Sequence, residues 1–388
     1  MKKGLLLLTC LAILSGCWDR TELKELGIAV GVAIDKDADT GNYIFSSLML
    51  RPASFSAQSN STTRPFEEVV TNGKTIFEAI RKVNLIFDRK VFYGHNKIIL
   101  ISEELAKEGI LPILDAFQRG KEFREYVYIC IVKNAKASEI LASSTNAATI
   151  LPAIHLRNLV NHTDIQFNAA KIDLLNFYKQ TLASGITPVV GVLEFEKDRF
   201  SKKHVKISGG GVFNKDKLVG YLNEKETRGY RWGKGEVKTA AISVPSPVNE
   251  ERFDTVEVKN VKSKIKPTIK GDEISFTISV NGEGIIAEQQ SIATFESQTE
   301  RLDYSRKIEG KMKKIIEKEI QMAMEKAQKK LKSDILGFGN ALNQEDPKTW
   351  NKVKKDWKER FTEVPYTVNV NFSVKTTGLM RGPFQPRY

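Results

Sequence analysis

Leu14, Ser15, Gly16 and Cys17 put a thiol directly behind two small residues and a branched apolar one, at the end of a greasy run. This is the lipobox pattern: the thiol can take a diacylglyceryl group before the peptidase cuts, which leaves lipidated Cys17 as the new first residue. The flanks agree, because Lys2 and Lys3 precede the apolar stretch Gly4 to Leu14 in the layout of an export signal. A spanning helix takes roughly 17–25 apolar residues, and this run is shorter. The other reading is an ordinary signal peptide with a chance cysteine at its end. Residues 1–16 are thus expected to be removed, and Cys17 is the candidate site of diacylglyceryl and N-acyl attachment. Two acyl chains, at about 0.8 kcal/mol per buried CH₂, hold a protein durably on a membrane where one chain binds only marginally.

The other residues with chemical potential read as structural. Cys10 leaves with the signal and Cys17 is consumed by lipid, so Cys130 is left without a disulfide partner in the mature chain. It lies in the strand-like "YVYICIV", where a buried inert thiol is expected over a nucleophile. "GKT" at Gly73 to Thr75 resembles the tail of a phosphate-binding loop, but the position of the opening glycine is held by Glu68, whose carboxylate would repel phosphate. The start of a helix is expected there instead. "NGEGIIA" satisfies G-x-G-x-x-A through Gly282, Gly284 and Ala287, yet β-branched isoleucines follow where a dinucleotide fold needs a helix, so a hairpin at Asn281-Gly282 is expected.

His95, His155, His162 and His204 are scattered; His155 and His162, seven apart, could share a helix face, but no metal site is expected. There is no G-x-S-x-G, no H-E-x-x-H and no second thiol in the mature chain, so no nucleophile and base declare themselves. Acids far apart in sequence stay open as a pair. No catalytic residue, cofactor or metal is assigned. Two Asn-x-Thr sequons, at Asn60 and Asn161, are set aside because the lipobox is bacterial.

The chain has 388 residues, 41% of them hydrophobic and 28% charged, with a formal charge of +13. That is ample for a core and for two or three domains. No later segment is long and apolar enough to span a bilayer, so everything after Cys17 is expected on the far side of the membrane it crossed. A basic protein usually meets nucleic acid or an anionic surface. For an exported, tethered chain the nearer surface is phospholipid, where juxtamembrane basic residues gain on the order of 1 kcal/mol each.

Periodicity supplies the elements that carry these residues. "GIAVGVAID" (Gly27 to Asp35) and "NYIFSSLMLR" (from Asn42) read as a β-hairpin, and the Ser/Thr-rich Pro52 to Pro65 as a mobile loop. Ile76, Ala79, Ile80, Val83 and Phe87 mark a helix over Lys74 to Phe87. A strand Asn96 to Ser102 follows, with Ser102 as N-cap of the next helix. A helix over Leu111 to Arg119, the Cys130 strand and a helix over Ala137 to Ser143 come next. Ala147 to Gly185 reads as mostly helical.

Three short strands within residues 205–244 suggest a small antiparallel sheet. "ISFTISV" places Ile274, Phe276, Ile278 and Val280 on one face and leaves the other wet. A long basic helix is expected from Leu302 to Ile335 on Ile308, Met312, Ile315, Ala323, Ala327, Leu331 and Ile335, with ten basic and four acidic residues between Arg306 and Lys332. Its apolar stripe should pack on the neighbouring sheet while its lysines are solvated. Asp346-Pro347 opens a shorter helix striped by Trp350, Val353, Trp357 and Phe361, and "YTVNVNFSV" is a last alternating strand. We expect an α+β, multi-domain chain of small, mostly antiparallel sheets with helices packed on them. Its parts are the signal (1–16), an N-terminal α+β domain (17–198), a small β-rich middle domain (199–255) and a C-terminal α+β domain with the long basic helix (256–388).

"GCWDRTELKELGIAVGVAID", in which Cys17-Trp18-Asp19-Arg20 runs into the first strand, resembles the Ger(x)C lipoproteins, the C subunits of bacterial spore germinant receptors. Later blocks are similar in the same order: "GGGVFNKDKLVGYLNEKETRGYRW" (Gly209 to Trp232), "GDEISFTISVNGEGIIAE" (Gly271 to Glu288), "DILGFGN" (Asp334 to Asn340) and "PKTWNKVKKDWKERF" (Pro347 to Phe361). The resemblance spans essentially the whole mature chain. It implies a three-domain α+β lipoprotein on the outer face of the spore's inner membrane, with lipid on Cys17 and no known catalytic residues. It also implies assembly with the A and B membrane subunits of the receptor, for the response of dormant spores to nutrients. The competing classes are an extracytoplasmic solute-binding lipoprotein that captures the nutrient itself and a cell-wall hydrolase. Saturable nutrient binding would mark the first, and release of muropeptides from cortex the second.

Overall fold

The computed structural model describes residues 25–51, 65–120, 123–143, 151–291, 295 and 297–375. The signal, Cys17 and most of the Ser/Thr-rich segment lie outside the described residues.

The first half forms in the order expected. β1 (Leu26–Lys36) and β2 (Tyr43–Leu50) make the hairpin, and β3 (Phe66–Gly73) adds to β2 antiparallel. α1 (Ile76–Ile86) starts at Thr75, whose hydroxyl accepts from the Glu78 amide, so "GKT" is the opening of a helix; Ile76, Ala79, Ile80 and Val83 are its buried stripe. Next come β4 (Lys90–Phe92), β5 (Ile98–Ser102), α2 (Glu103–Glu108), α3 (Leu111–Arg119), β6 (Tyr128–Val132) and α4 (Ala137–Ala142). Ser102 does sit at the N-cap of α2, but its hydroxyl makes no capping bond and is buried without a partner among the described residues. Two helices, α5 (Pro152–Gln166) and α6 (Leu174–Leu182), fill the segment expected to be mostly helical.

β7 (Val189–Lys197), β8 (Lys203–Asn214) and β9 (Lys217–Leu222) then complete one sheet in the order β3-β2-β1-β5-β6-β7-β8-β9, with β4 beside β1. Its centre is parallel and its flanks antiparallel. Helices cover both faces: α1 to α3 contribute Ile80, Leu105 and Ile113 to one core, α4 and α5 contribute Ile140 and Leu156 to the other. That is why "IILIS" is an unbroken apolar run, buried at every position, where a half-wet strand would alternate.

In the second half α7 (Glu224–Lys234) precedes β10 (Thr239–Pro245), β11 (Phe253–Lys270) and β12 (Glu273–Gln289). α8 (Gln298–Glu325), a π-helical turn (Lys326–Leu331), α9 (Phe338–Glu345), α10 (Pro347–Val353), α11 (Trp357–Phe361) and β13 (Tyr366–Lys375) follow. The sheet runs β10-β11-β12-β13. Phe276, Ile278 and Val280 are buried beneath helices as expected, with Val370, Phe372 and Val374 of β13.

The α+β class holds, and several finer expectations are corrected. The strands of 205–244 do not make a sheet of their own: β8 and β9 extend the first sheet and β10 opens the second. No hairpin turn occurs at Asn281-Gly282, because β12 runs straight through it and pairs Gly282 with Phe372. The turn lies at Gly271, in the left-handed region at φ +62°. Gly282 and Gly284 pack under the Phe372 ring, where a Cβ would come within 3.0 and 3.1 Å of ring atoms. The long helix ends at Leu331 instead of Ile335, closing on Lys332 at φ +48°, and it buries Ile316 and Ile320 where the spacing suggested Ile315. Trp350, Val353, Trp357 and Phe361 are all buried, but on two short helices.

Gly284→Ala tests the strand assignment. Its Cβ would lie 2.8 Å from Val256 and 3.0 Å from the Glu257 carbonyl. Overpacking of this kind lowers unfolding free energy by about 1–3 kcal/mol, measured by urea denaturation, whereas a glycine in a solvated turn tip would show almost no change.

Candidate functional site

The residues singled out by chemistry are not brought together. Cys130 is buried on β6, and burial pushes its thiol up to about 12, so it is inert at neutral pH. His155 and His162 both lie on α5; burial, then the neighbouring His162, lowers the His155 pKa. His204 Nε2 is 2.9 Å from Asp198, and His95 stands edge-on to Phe92. Among the described residues no three of His, Cys, Asp and Glu are placed to hold a metal.

What the fold does assemble is a joint between its two sheets, made of buried charges. The first tie starts on α7, set by a capping box between Asn223 and Glu226. Gly229 of α7 lies so close to the Glu319 carbonyl of α8 that any Cβ would collide with it, which lets the two helices meet backbone to backbone. The buried Glu319 carboxylate pairs with Arg228 and accepts from Trp232 Nε1 at 2.9 Å. Arg231, only 2% exposed, reaches back into the first half. It donates to the carbonyls of Thr163 (2.6 Å) and Ala169 (3.3 Å), to the Glu236 carbonyl (2.8 Å) and to Asp164 (3.3 Å). Beside it the Trp232 ring meets Phe167 edge to face, 4.8 Å between centroids.

The second tie is Asp334. Its Oδ1 accepts from the amides of Gly337 (2.8 Å) and Phe338 (2.9 Å), its Oδ2 from the Gly339 amide (2.8 Å) and Trp357 Nε1 (3.0 Å). Complete burial pushes its carboxyl up to about 6, and these four donors hold it from rising further. The loop so fixed docks on the segment between α6 and β7. The Thr187 amide donates to the Asp334 carbonyl and the Asn340 amide to the Gly185 carbonyl, both at 2.9 Å. Gly185, at φ +78°, meets Gly339 with room for no side chain. Over this contact opens a cleft of about 450 Å³ edged by Lys215, Lys332, Lys354 and Lys358 and floored by Trp350 and Trp357.

The arrangement is mechanical. It sets buried ions against fixed dipoles and counter-ions, with the Nε of Arg228 and of Arg231 left buried without a partner among the described residues, and it presents a basic mouth. Sequence reasoning placed Arg231 and Asp334 inside family-like blocks without a role and passed over Glu319. The available signal was a charged residue beside tryptophan or glycine in "GYRW" and "DILGFGN"; nothing local pairs Arg228 with a glutamate 91 positions away.

Comparison with known proteins divides the chain within the first sheet, between β7 and most of β8. Residues 19–195 match the family described as spore germination protein N-terminal domain, and residues 208–378 the family described as spore germination B3/GerAC like, C-terminal. The chain is 28% identical to spore germination protein B3 of Bacillus subtilis, over 95% of this chain and 96% of that one. To spore germination protein KC of the same organism it is 26% identical, covering 99% and 98%. The crystal structure of the GerBC protein superposes with a TM-score of 0.57 at 22% identity, covering 89% of this chain and 96% of that one, which shows the shared fold.

Asp334 gives the joint a pH dependence. Its folded pKa lies above the unfolded one, so its contribution to stability is whole below about pH 4 and is lost as pH rises to about 6, by about 3 kcal/mol. Denaturation of wild type and Asp334→Asn across pH 4–8 is expected to show their stability difference shrinking up to about pH 6 and level beyond it. Asn, which turns an N–H toward donors, is the less stable throughout.

Proposed function

Because the chain belongs to the spore germination B3/GerAC-like family, we propose that it is the lipid-anchored C subunit of a nutrient germinant receptor, a non-enzymatic part that works by position. A role in spore germination follows from the family itself. The observation that carries the finer reading is the lipobox cysteine, Cys17, a short way ahead of β1. From Cys17 to Leu26 the chain can reach at most about 32 Å, so two acyl chains in the outer leaflet would keep the whole folded body beside the bilayer. The described residues contain no helix long and apolar enough to cross a membrane, which fits attachment by lipid.

Tethering turns assembly with the A and B membrane subunits from a search in three dimensions into a local one and raises the effective concentration of each partner for the other. A joint locked by buried charges suits that task, since a body that keeps its shape presents one surface to fixed partners. The solvated lysines of α8 add attraction to anionic headgroups on the outer face of the spore's inner membrane. Nucleic acid has no place in this reading. Nor is a cofactor needed.

Cys17→Ala is the direct test. Spores carrying it are expected to lose receptor from the inner membrane and most of their nutrient response, while mass spectrometry of the wild-type mature chain shows an acylated amino-terminal cysteine. Normal receptor levels and normal germination in the variant would sink the proposal.

A further inference from the structure

The lysine-edged cleft over the contact of Gly185 with Gly339 has walls that the fold pins one to the next. The Ile110 amide donates to the Asp216 carbonyl at 3.1 Å, which sets the β8–β9 turn beside the start of α3. The Phe213 amide donates to the Pro188 carbonyl at 3.1 Å, and the Thr187 amide to the Asp334 carbonyl at 2.9 Å. Trp357, held on the Asp334 carboxylate, completes the enclosure. The cleft is therefore preformed, and its volume of about 450 Å³ lies within the range of small-molecule sites.

Its free charge has one sign. Lys215 comes from the β8–β9 turn, Lys332 from the turn after the π-helical segment, Lys354 from the end of α10 and Lys358 from the start of α11. Among the described residues Lys215, Lys332 and Lys358 make no ion pair, and Lys354 meets only the side chain of Asn351, at 2.9 Å. Asp334 is the one acid among the described lining residues, and its two oxygens are already taken by four donors. Acids next to the lysines in sequence are engaged or turned aside: Asp356 holds Arg360 at 2.7 Å, and the Asp216 carboxylate lies against Gly109.

Two of these lysines also stand where the backbone resists a side chain. Lys215 (φ +58°) and Lys332 (φ +48°) are left-handed, a conformation that costs an ordinary residue and spares glycine. Strain kept at the mouth of a cavity points to a use for the side chain. On the wall, Thr181 and Thr187 are part-exposed, yet their hydroxyls are buried without a partner among the described residues. A turn about χ1 would exchange methyl for hydroxyl and give the cavity a donor. Leu111 and Leu182, both exposed, and Ile186 supply apolar wall beside the tryptophan floor. A bare inorganic anion would leave that surface wet, and an uncharged body would leave the lysines unanswered.

We propose that this cleft binds a small organic anion with an apolar body, its oxyanion among the lysines and its body against Leu182, Ile186 and the tryptophan edges. Lys215 and Leu182 belong to the first half and Lys332, Lys354 and Lys358 to the second, so an occupant bridges the joint. This inference stands apart from the lipid anchor and the receptor assignment.

Calorimetry on the full mature chain in nonionic detergent, at constant ionic strength, tests it with benzoate, with benzyl alcohol as the uncharged counterpart, and with inorganic phosphate as the anion without a body. Saturable binding of benzoate is expected, with neither control matching it. Lys332→Gly removes one charge and relieves the left-handed residue, so it is expected to weaken benzoate about fivefold while melting at or above wild type. Lys358→Gln is expected to weaken it to a similar degree, and Lys307→Gln, exposed on α8 and not part of the cleft, to leave it unchanged. The assignment is overturned by no saturable benzoate binding at millimolar concentration, by equal binding of benzyl alcohol or phosphate, or by unchanged affinity in Lys332→Gly or Lys358→Gln. An equal loss in Lys307→Gln would likewise overturn it, in favour of a general effect of charge.

Discussion

A carboxylate taken wholly out of water has to find its donors inside the protein, and Asp334 finds four within 3.0 Å. Three are successive backbone amides, so satisfying this one charge dictates the path of the chain from Gly337 to Gly339. The fourth is the indole of Trp357, which brings α11 onto the same point. With that loop fixed, Gly339 can meet Gly185 and the first half docks on the second through main-chain hydrogen bonds. Glu319 and Arg231 repeat the principle around α7, where the carboxylate takes Arg228 and Trp232 and the guanidinium takes carbonyls of a distant segment. Breaking such a tie is costly because it strands the surviving partner. The result is one continuous core running from Phe167 and Val189 of the first half into Phe276 and Phe338 of the second.

That construction holds the two halves in one fixed relation. The reactive candidates that the sequence offered are dispersed or, like Cys130, buried beyond use. What the fold offers instead is a joint with two cavities on it, one edged by lysines and one lined by charges of both signs, Asp164 and Arg231 among them. Both lie where the halves meet, so anything bound there would be felt by the relation between them.

Much of the fold was legible because local periodicity answers to burial. The β1–β2 hairpin, α1 with its Thr75 cap, the Asp346-Pro347 helix start and the faces of β12 and β13 all appeared where the alternation or the three-and-four spacing placed them. The failures share a cause. Asn281-Gly282 has the composition of a turn, but its glycine is there for Phe372, which arrives from the other end of the domain. Ile316 displaces Ile315 because the sheet beneath α8, not the spacing alone, decides which ridge goes down. β8 and β9 joined the first sheet because β7 offered them an edge, and short strands carry no mark of which edge they will take.

The sequence by itself determined the order of strands and helices, the apolar faces and the family, since each of these is written in neighbouring residues. Tertiary structure alone decided which charges are buried and who satisfies them: Asp334 with the turn after it and Trp357, and Glu319 with Arg228 and Trp232. A charged residue looks the same in the chain whether it ends in water or under a helix. Its surroundings come from segments tens of residues away, and only the packed chain brings them within the few ångströms over which a hydrogen bond acts.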